Sequence, residues 1–344
     1  MEYRKLGTTD IDVSVICLGT MTYGEQNTEA EAHEQLDFAI DHDVNFIDTA
    51  ELYAVPARKE TQGLTEQYIG TWLAKRGKRD DLVIGTKIAG PGPYTTHIRD
   101  VTDYSKDTIA DAVNNSLKRL QTDYIDIYQL HWPARKTNFF SVRGYHKKDD
   151  WENNFVEILQ GLEAQVKAGK IRHIGISNET PWGLFSFLQL AEKHDLPRVM
   201  SIQNPYSLLN RSFEVGLSEI AIREQVGLLA YSPMGFGRLS GKYISGNDKP
   251  SDRINKFSKM ARYNSPQSIE ASAKYNDIAK KYGLSLAQMS LAWVNQQQFV
   301  TSNIIGATSL DQLKENIGSI DITLSKECVK EINGVQSLIP NPAP

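Results

Sequence analysis

Cysteine and long apolar runs are the two features that this sequence most clearly lacks. Its 344 residues include only Cys17 and Cys328, too few for a disulfide framework or a cysteine-based metal site. No stretch approaches the roughly 18 consecutive apolar residues that predict a membrane-spanning helix. Residues 1–5 lead into polar positions and lack the apolar core of a signal peptide. We therefore expect a cytoplasmic protein with no bound metal and no membrane partner.

An excess of basic residues is also absent. The formal net charge is −4, which gives no electrostatic reason to expect a nucleic-acid partner. Hydrophobic residues make up 40% and charged residues 23% of the chain, as in an ordinary globular protein. Because α/β barrels reach this length as one domain, we predict a single domain over residues 1–344 with a C-terminal tail at 336–344.

Short apolar runs alternate with amphipathic segments along the chain. The eight strand candidates are residues 15–19, 45–48, 82–87, 125–131, 171–177, 199–203, 227–231 and 303–305. Helix starts between them are indicated by the Thr28-Glu-Ala-Glu31 capping box and by Ser105 and Ser285. Strands that alternate with helices indicate βαβ units, and eight such units predict a closed (β/α)₈ TIM barrel.

Segments that do not fit the alternation of strands and helices are predicted to lie at the two ends of the barrel. Residues 2–13 are predicted to form a β-hairpin that closes the bottom, and residues 325–335 a final helix. Residues 54–63, 132–154 and 233–266 follow strand ends and are predicted to be long loops at the C-terminal face. Barrel enzymes carry their active sites at that face.

Four polar residues lie at, or just after, the ends of three strand candidates. They are Asp48, Tyr53, Lys87 and His131. A nearby cation such as Lys87 could stabilise a tyrosinate, and Asp48 could hold that lysine in place. A neutral His131 could orient a carbonyl oxygen that Tyr53 protonates. The alternative is a salt bridge at the barrel rim with a structurally satisfied histidine.

The motif Phe46-Ile-Asp-Thr-Ala-Glu-Leu-Tyr53, followed at a distance by Thr86-Lys87 and Leu130-His131, resembles the aldo-keto reductase superfamily. Leu18-Gly-Thr-Met21, Gly175-Ile-Ser-Asn178, Tyr231-Ser-Pro-Met234 and Ile305-Gly-Ala-Thr308 extend the likeness over nearly the whole chain. The loops after Tyr53 and His131 look most like those of its bacterial Tas-type members. The resemblance implies that Tyr53 is the proton donor, Asp48 and Lys87 its tuning pair, and His131 the carbonyl-orienting residue.

The same resemblance implies an extended nicotinamide dinucleotide along strands five to eight. Ser177, Asn178 and Gln203 would hold the carboxamide, and Tyr231 would stack on the nicotinamide. The other cofactor-binding candidates are Thr20, Met21, Ser232, Pro233, Met234, Gly235, Gly237, Leu239, Gly241, Lys242, Arg253, Gly306, Thr308, Gln312, Glu315 and Asn316. Three structural alternatives stay open: Ser177 and Asn178 could cap a helix, Tyr231 could be a core residue, and Gln312 could complete a capping box with Ser309.

The resemblance favours NADP(H) over NAD(H). Many relatives have an arginine near the position of Gln312, and Arg253 could replace it as a ligand of the 2′-phosphate. We therefore expect an NADPH-dependent carbonyl reductase acting on a small molecule. The alternative is a regulatory protein that binds NADP(H) on the same fold, similar to channel β-subunits. Tyr23, Trp132 and Tyr206, together with Met21, are candidates for an apolar substrate pocket; the sequence predicts neither the substrate nor the oligomeric state.

Overall fold

The protein is described by a computed structural model that covers residues 1–93, 95–142, 144–257 and 261–344. Ten strands form a two-stranded hairpin and an eight-stranded barrel. The strands are β1 Tyr3–Lys5, β2 Asp12–Ser14, β3 Ile16–Gly19, β4 Phe46–Asp48, β5 Val83–Ile88, β6 Ile125–Leu130, β7 Ile171–Ser177, β8 Val199–Pro205, β9 Gly227–Tyr231 and β10 Val300–Ile305.

The barrel consists of parallel strands, and β10 closes it by pairing with both β9 and β3. This arrangement confirms the predicted (β/α)₈ fold. The largest error in the strand bounds is in β10, which begins three residues before the predicted start at Asn303. Its first residues include Thr301 and Ser302, whose polarity hides the strand from a search for apolar runs. Ser302 is nevertheless buried and donates its hydroxyl to Ser14 O at 2.7 Å.

Helices surround the barrel, and most of them begin at a side-chain cap. They are α1 Glu29–Asp41, α2 Leu64–Arg76, α3 Lys106–Leu120, α4 Phe155–Lys167, α5 Pro181–Lys193, α6 Leu217–Arg223, α7 Lys242–Ser245, α8 Arg253–Lys256, α9 Pro266–Lys281, α10 Leu286–Asn295, α11 Leu310–Ile317 and α12 Lys326–Leu338. The Thr28–Glu31 capping box and the Ser105 and Ser285 caps are present as predicted. Helix α12 runs to Leu338, so residues 336–338 of the predicted tail are helical.

The hairpin β1–β2 closes the amino-terminal end of the barrel, as predicted. Its strands pair antiparallel, with Tyr3 opposite Ser14. Leu6, Ile11 and Val13 pack with a set of inward-facing strand residues: Cys17, Phe46, Val83, Ile127, Leu229 and Ile304. Because this end is filled with side chains, functional groups collect at the opposite end, where the strands terminate.

Long segments connect strands and helices at that carboxyl end. The segment between β6 and α4 contains no helix or strand in its described part, whereas the segment after β9 includes α7, α8 and the 3₁₀ turns Gly235–Ser240 and Ala261–Asn264. In the described ranges, no helix combines the length and the hydrophobicity needed to cross a bilayer.

Candidate active site

A buried ion pair lies at the carboxyl ends of β4 and β5. Lys87 Nζ is 2.7 Å from Asp48 Oδ2 and donates a second hydrogen bond of 2.7 Å to the carbonyl oxygen of Thr49. The two side chains are 0% and 3% exposed. Burial is the largest influence and lowers the pKa of Lys87, but Asp48, Tyr53 and Cys17 together outweigh it and raise the pKa above its ordinary value. Lys87 is therefore a fixed ammonium ion in a site from which water is largely excluded.

Tyr53 lies beside this ammonium. Lys87 Nζ is 5.0 Å from the centre of the Tyr53 ring. Burial raises the pKa of Tyr53, while the positive charges of Lys87 and, to a smaller degree, Arg253 pull it down. The net shift is upward, so the hydroxyl keeps its proton and is a donor at neutral pH. This is the form that a general acid requires.

His131 follows β6 and completes the predicted quartet. Its ring centre lies 5.7 Å from that of Tyr53 in an edge-on arrangement. Burial and the charge of Lys87 hold the pKa of His131 well below its usual value, so the ring is neutral. Its Nδ1 atom has no hydrogen-bond partner among the described residues. The structure thus brings together all four catalytic candidates at one end of the barrel.

The carboxamide candidates on β7 and β8 contact the quartet directly. Gln203 Nε2 donates to Asp48 Oδ1 at 2.8 Å, and Asn178 Nδ2 donates to His131 O at 2.8 Å. Ser177 Oγ donates to Gln203 O at 2.7 Å. These contacts, rather than a helix cap, occupy Ser177 and Asn178, because Thr180 caps α5. Asn178 has a positive φ of 56°, a conformation that asparagine tolerates better than most residues.

Gln129 is a site residue that the sequence interpretation missed. Its Nε2 is 3.3 Å from Asp48 Oδ1, and its Oε1 accepts a hydrogen bond of 3.2 Å from Gln203. The signal was present, because Gln129 is two residues before His131 and strand residues two apart face the same side. Asp48 is therefore held by one cation and two amide groups.

The nicotinamide and phosphate candidates lie at the end of β9 and on the segment that follows it. Tyr231 donates its hydroxyl to Asn178 Oδ1 at 2.6 Å and is half-buried, so it is not simply a core residue. The positive φ angles of Gly235 and Gly237 at 53° and 94° turn the backbone sharply here. Lys242 pairs with Asp252 at 2.7 Å. Four further candidates on this segment are Ser232, Pro233 and Met234, which precede the turn, and Gly241, which directly precedes α7.

Arg253 is the first residue of α8, in the segment after β9. Its guanidinium carbon is 4.2 Å from the centre of the Phe236 ring. Its Nε and Nη2 atoms are buried without a hydrogen-bond partner among the described residues. Burial lowers the pKa of Arg253 to about 10, which leaves the side chain charged at neutral pH. A buried, charged donor pair of this kind is suited to an anion.

The candidates for the adenosine end form a separate group around the start of α11. Gln312 Oε1 accepts hydrogen bonds from both the backbone N and the hydroxyl of Thr308, at 3.0 and 3.2 Å. Its own backbone N–H is capped by Ser309, but its side chain bonds Thr308 and not the backbone N–H of Ser309, so the capping box is only half formed. Glu315 accepts from Ser285 at 2.6 Å, and Asn316 Nδ2 donates to the carbonyl oxygen of Gly306 at 3.2 Å.

Candidates near β3 and at the turn after β9 are buried or partly buried. Thr20 is fully buried and hydrogen bonds the carbonyl oxygen of Asp48 at 2.8 Å. Met21 is partly buried and packs near Tyr53. Leu239 is 0% exposed and belongs to the main core, so only its backbone could face a ligand.

Of the four pocket candidates, Trp132 and Met21 lie beside Tyr53. Trp132 shares an apolar cluster with Tyr53, and its indole N–H donates to Pro91 O at 3.0 Å. The sequence interpretation did not identify the partly exposed members of this cluster, which come from three rim loops: Val55, Ala57, Ile98 and Phe139. Only the strand-end position of each loop could have indicated them.

Tyr23 and Tyr206 do not line the pocket, and their prediction as substrate contacts is wrong. Both are 0% exposed. The hydroxyl of Tyr23 donates to Gln35 of α1 at 3.2 Å, and the ring of Tyr206 stacks on Trp293 of α10 at 5.1 Å. Both side chains therefore face the layer between barrel and helices. Proximity to a strand end does not determine which way a loop side chain points.

The sequence is similar to known oxidoreductases along its whole length. A model of the aldo/keto reductase family matches residues 15–337. The chain is 50% identical to protein tas of Escherichia coli over 100% of both chains. It is 33% identical to the uncharacterized oxidoreductase YrpG of Bacillus subtilis, covering 97% of this chain and 96% of that protein. Norsolorinic acid reductase B of Dothistroma septosporum is 27% identical, covering 96% and 81%. With the barrel and a buried Asp-Tyr-Lys-His quartet at its carboxyl end, this match shows that the chain belongs to the aldo/keto reductase family of nicotinamide-dependent carbonyl oxidoreductases.

Proposed function

We propose that the protein is an NADPH-dependent reductase of aldehydes and ketones, with Tyr53 as the general acid. The observation that carries this proposal is the fixed Lys87 ammonium between the Asp48 carboxylate and the Tyr53 ring, beside a neutral histidine. A purely structural salt bridge would not require a protonated tyrosine and an uncharged histidine at the same strand ends. The predictions of a single domain and of a cytoplasmic location stay predictions.

The residues of the rim fit a nicotinamide dinucleotide. The two unpaired, buried donor atoms of Arg253 are suited to phosphate oxygens. Tyr231, Asn178 and Ser177 lie next to the quartet, where the nicotinamide ring and its carboxamide would be held. When bound, the reduced nicotinamide supplies the hydride that the protein itself lacks.

Each member of the quartet then has one task at the carbonyl oxygen of the substrate. Neutral His131 offers an N–H that orients the oxygen. Tyr53 gives its hydroxyl proton to the oxygen as negative charge develops there. Lys87 stabilises the resulting tyrosinate, and Asp48 keeps Lys87 charged in its buried position.

The test is Tyr53→Phe, which removes only the hydroxyl. We expect aldehyde-dependent oxidation of NADPH to fall about 10²–10⁴-fold, the usual contribution of a general acid. The dissociation constant of NADPH, measured by quenching of tryptophan fluorescence, should change little. Tyr128→Phe is the matched control, because Tyr128 is also fully buried in the barrel and its hydroxyl has no partner among the described residues.

The regulatory alternative gives a different result in the same series. A parent protein that binds NADPH but reduces no member of a broad aldehyde panel would favour a cofactor-sensing role. Equal turnover by the parent and Tyr53→Phe would instead leave the reductase assignment intact and refute Tyr53 as its acid.

A further inference from the structure

A second buried ion pair lies outside the quartet, between the segment after β6 and the start of α5. Arg135 and Glu179 form two parallel hydrogen bonds, Nη1 to Oε2 at 2.9 Å and Nη2 to Oε1 at 2.6 Å. The side chains are 6% and 3% exposed. Nη2 also reaches Thr180 Oγ1 at 3.1 Å. A bidentate pair at this depth fixes distance and orientation as well as charge.

Aromatic rings surround the guanidinium of Arg135. Its central carbon is 5.6 Å from the ring centre of Trp151, 5.5 Å from that of Phe155 and 4.9 Å from that of Trp182. These rings come from the end of the loop and from helices α4 and α5. The cage keeps water away and so strengthens the ion pair, and each cation–π contact adds attraction of its own.

Glu179 is held as firmly on its own side. Asn204 of β8 hydrogen bonds both the backbone N–H and the carbonyl oxygen of Glu179, at 3.1 and 2.9 Å. Glu179 Oε1 accepts the backbone N–H of Thr180 at 2.6 Å. A Cβ atom at Gly183 would come within 2.2 Å of the carboxylate, so a glycine leaves the space that Glu179 occupies. Arg135 is thus attached to a rigid part of the barrel rim.

The segment that Arg135 anchors carries Phe139 and Phe140, which we call the aromatic wall because they pack at the apolar cluster around Tyr53 and Trp132. Phe139 packs with the apolar cluster around Tyr53, and Phe140 meets the ring of Trp132 edge-on at 6.1 Å. Phe139 and Phe140 contact each other at 5.0 Å. Trp132 has anchors of its own, since Tyr104 donates to its carbonyl oxygen at 2.6 Å. The positions of Phe139 and Phe140, by contrast, depend on the conformation of the loop that carries them.

We propose that Arg135 is a positioning residue that sets the aromatic wall, and with it a preference for bulky apolar carbonyl substrates. The inference rests on the proposed reductase function. His131 is held separately, because Asn178 hydrogen bonds its carbonyl oxygen at 2.8 Å. Loss of the Arg135–Glu179 pair therefore moves the wall and not the proton-transfer groups.

The experiment compares 2-naphthaldehyde with propanal as substrates of the full-length protein. In Arg135→Met, we expect KM for 2-naphthaldehyde to rise about tenfold, while kcat and the KM for propanal stay within about twofold, because misplacing a substrate contact weakens binding of the group it touches. Arg135→Lys keeps the charge but not the bidentate geometry, and it should raise the KM for 2-naphthaldehyde about threefold. An unchanged KM ratio between the two aldehydes overturns the proposal.

A double variant separates positioning from simple destabilisation. Arg135→Met leaves the Glu179 carboxylate buried and unpaired, which lowers the unfolding temperature. Arg135→Met combined with Glu179→Gln removes that charge, keeps an acceptor for Thr180 N–H, and should restore the unfolding temperature without restoring KM for 2-naphthaldehyde. If the double variant recovered both the unfolding temperature and the parent KM for 2-naphthaldehyde, the positioning role would be overturned.

Arg79→Met is the matched control at the opposite end of the barrel. Arg79 also forms a buried pair, with Asp126 at 2.8 Å, and stacks on Tyr124 at 3.8 Å. Its loss should lower stability alone. A rise in KM for 2-naphthaldehyde but not for propanal in this variant would therefore contradict the proposal. A parent that reduces neither aldehyde overturns the proposed function and this inference together, whereas an altered selectivity limited to Arg79→Met overturns the inference alone.

Discussion

Replacing Lys87 with methionine should separate the stability of the quartet from its chemistry. The substitution leaves Asp48, which is 2% exposed, as a buried carboxylate without its cation. Breaking a buried ion pair by removing one partner typically costs ~3–5 kcal/mol. Gln203 and Gln129 still donate to Asp48 Oδ1 at 2.8 and 3.3 Å, so we expect a cost near the lower end, ~3 kcal/mol. For a chain of this length that corresponds to a fall of about 5 °C in Tm.

The double variant Lys87→Met/Asp48→Asn tests this reasoning. It contains no unpaired buried charge, and its asparagine can still accept from the two glutamines, so Tm should return to within about 2 °C of the parent. Aldehyde reduction should stay about 10²-fold or more below the parent in both variants, because neither contains the Lys87 ammonium beside Tyr53. Differential scanning fluorimetry and NADPH oxidation measure the two quantities. Equal Tm values for the single and double variants would refute the electrostatic account, and recovered turnover in the double variant would refute the role of Lys87.

Two further predictions concern the cofactor and the pH dependence. If Arg253 contacts the 2′-phosphate, Arg253→Met should weaken NADPH binding by about tenfold and leave NADH binding unchanged; equal weakening of both dinucleotides in isothermal titration would assign it to the pyrophosphate, and no weakening would remove it from the site. Because burial and Lys87 lower the pKa of His131, the imidazole stays neutral below its ordinary pKa, and kcat/KM should be flat from about pH 8 to about pH 6. A fall near pH 6.5 that disappears in His131→Gln would show instead that the histidine titrates normally.

The barrel, and the position of the quartet at its rim, could be predicted because their signals are local. Each strand that ends at the rim is a short apolar run, and Asp48, Lys87 and His131 end or directly follow such runs. Helix starts were equally visible, since a capping box needs only four residues, as at Thr28 and Glu31. Parallel strands in a closed barrel then bring their carboxyl ends together without further information.

Contacts between distant parts of the chain could not be predicted in this way. Nothing near Tyr206 in sequence shows that its ring would stack on Trp293, which lies on helix α10. The pair of Arg135 and Glu179 joins residues 44 positions apart, and neither belongs to a local motif. Side-chain direction in loops is set by such packing, which explains why Tyr23 was also wrongly placed in the pocket.

Hydrogen bonds join the strands that carry the quartet to the strands that carry the cofactor candidates. These bonds change how single substitutions must be interpreted. The sequence divides the rim into catalytic strands and cofactor strands, yet Gln203 hydrogen bonds Asp48 and Asn178 holds the backbone of His131. Under the proposed mechanism, substituting either amide would therefore disturb the proton-transfer groups as well as the proposed cofactor-binding surface, so a loss of activity there would not distinguish the two effects. Tyr53 differs, because its hydroxyl can be removed without breaking a contact between the two halves. The strongest evidence for a mechanism in this site will therefore come from Tyr53.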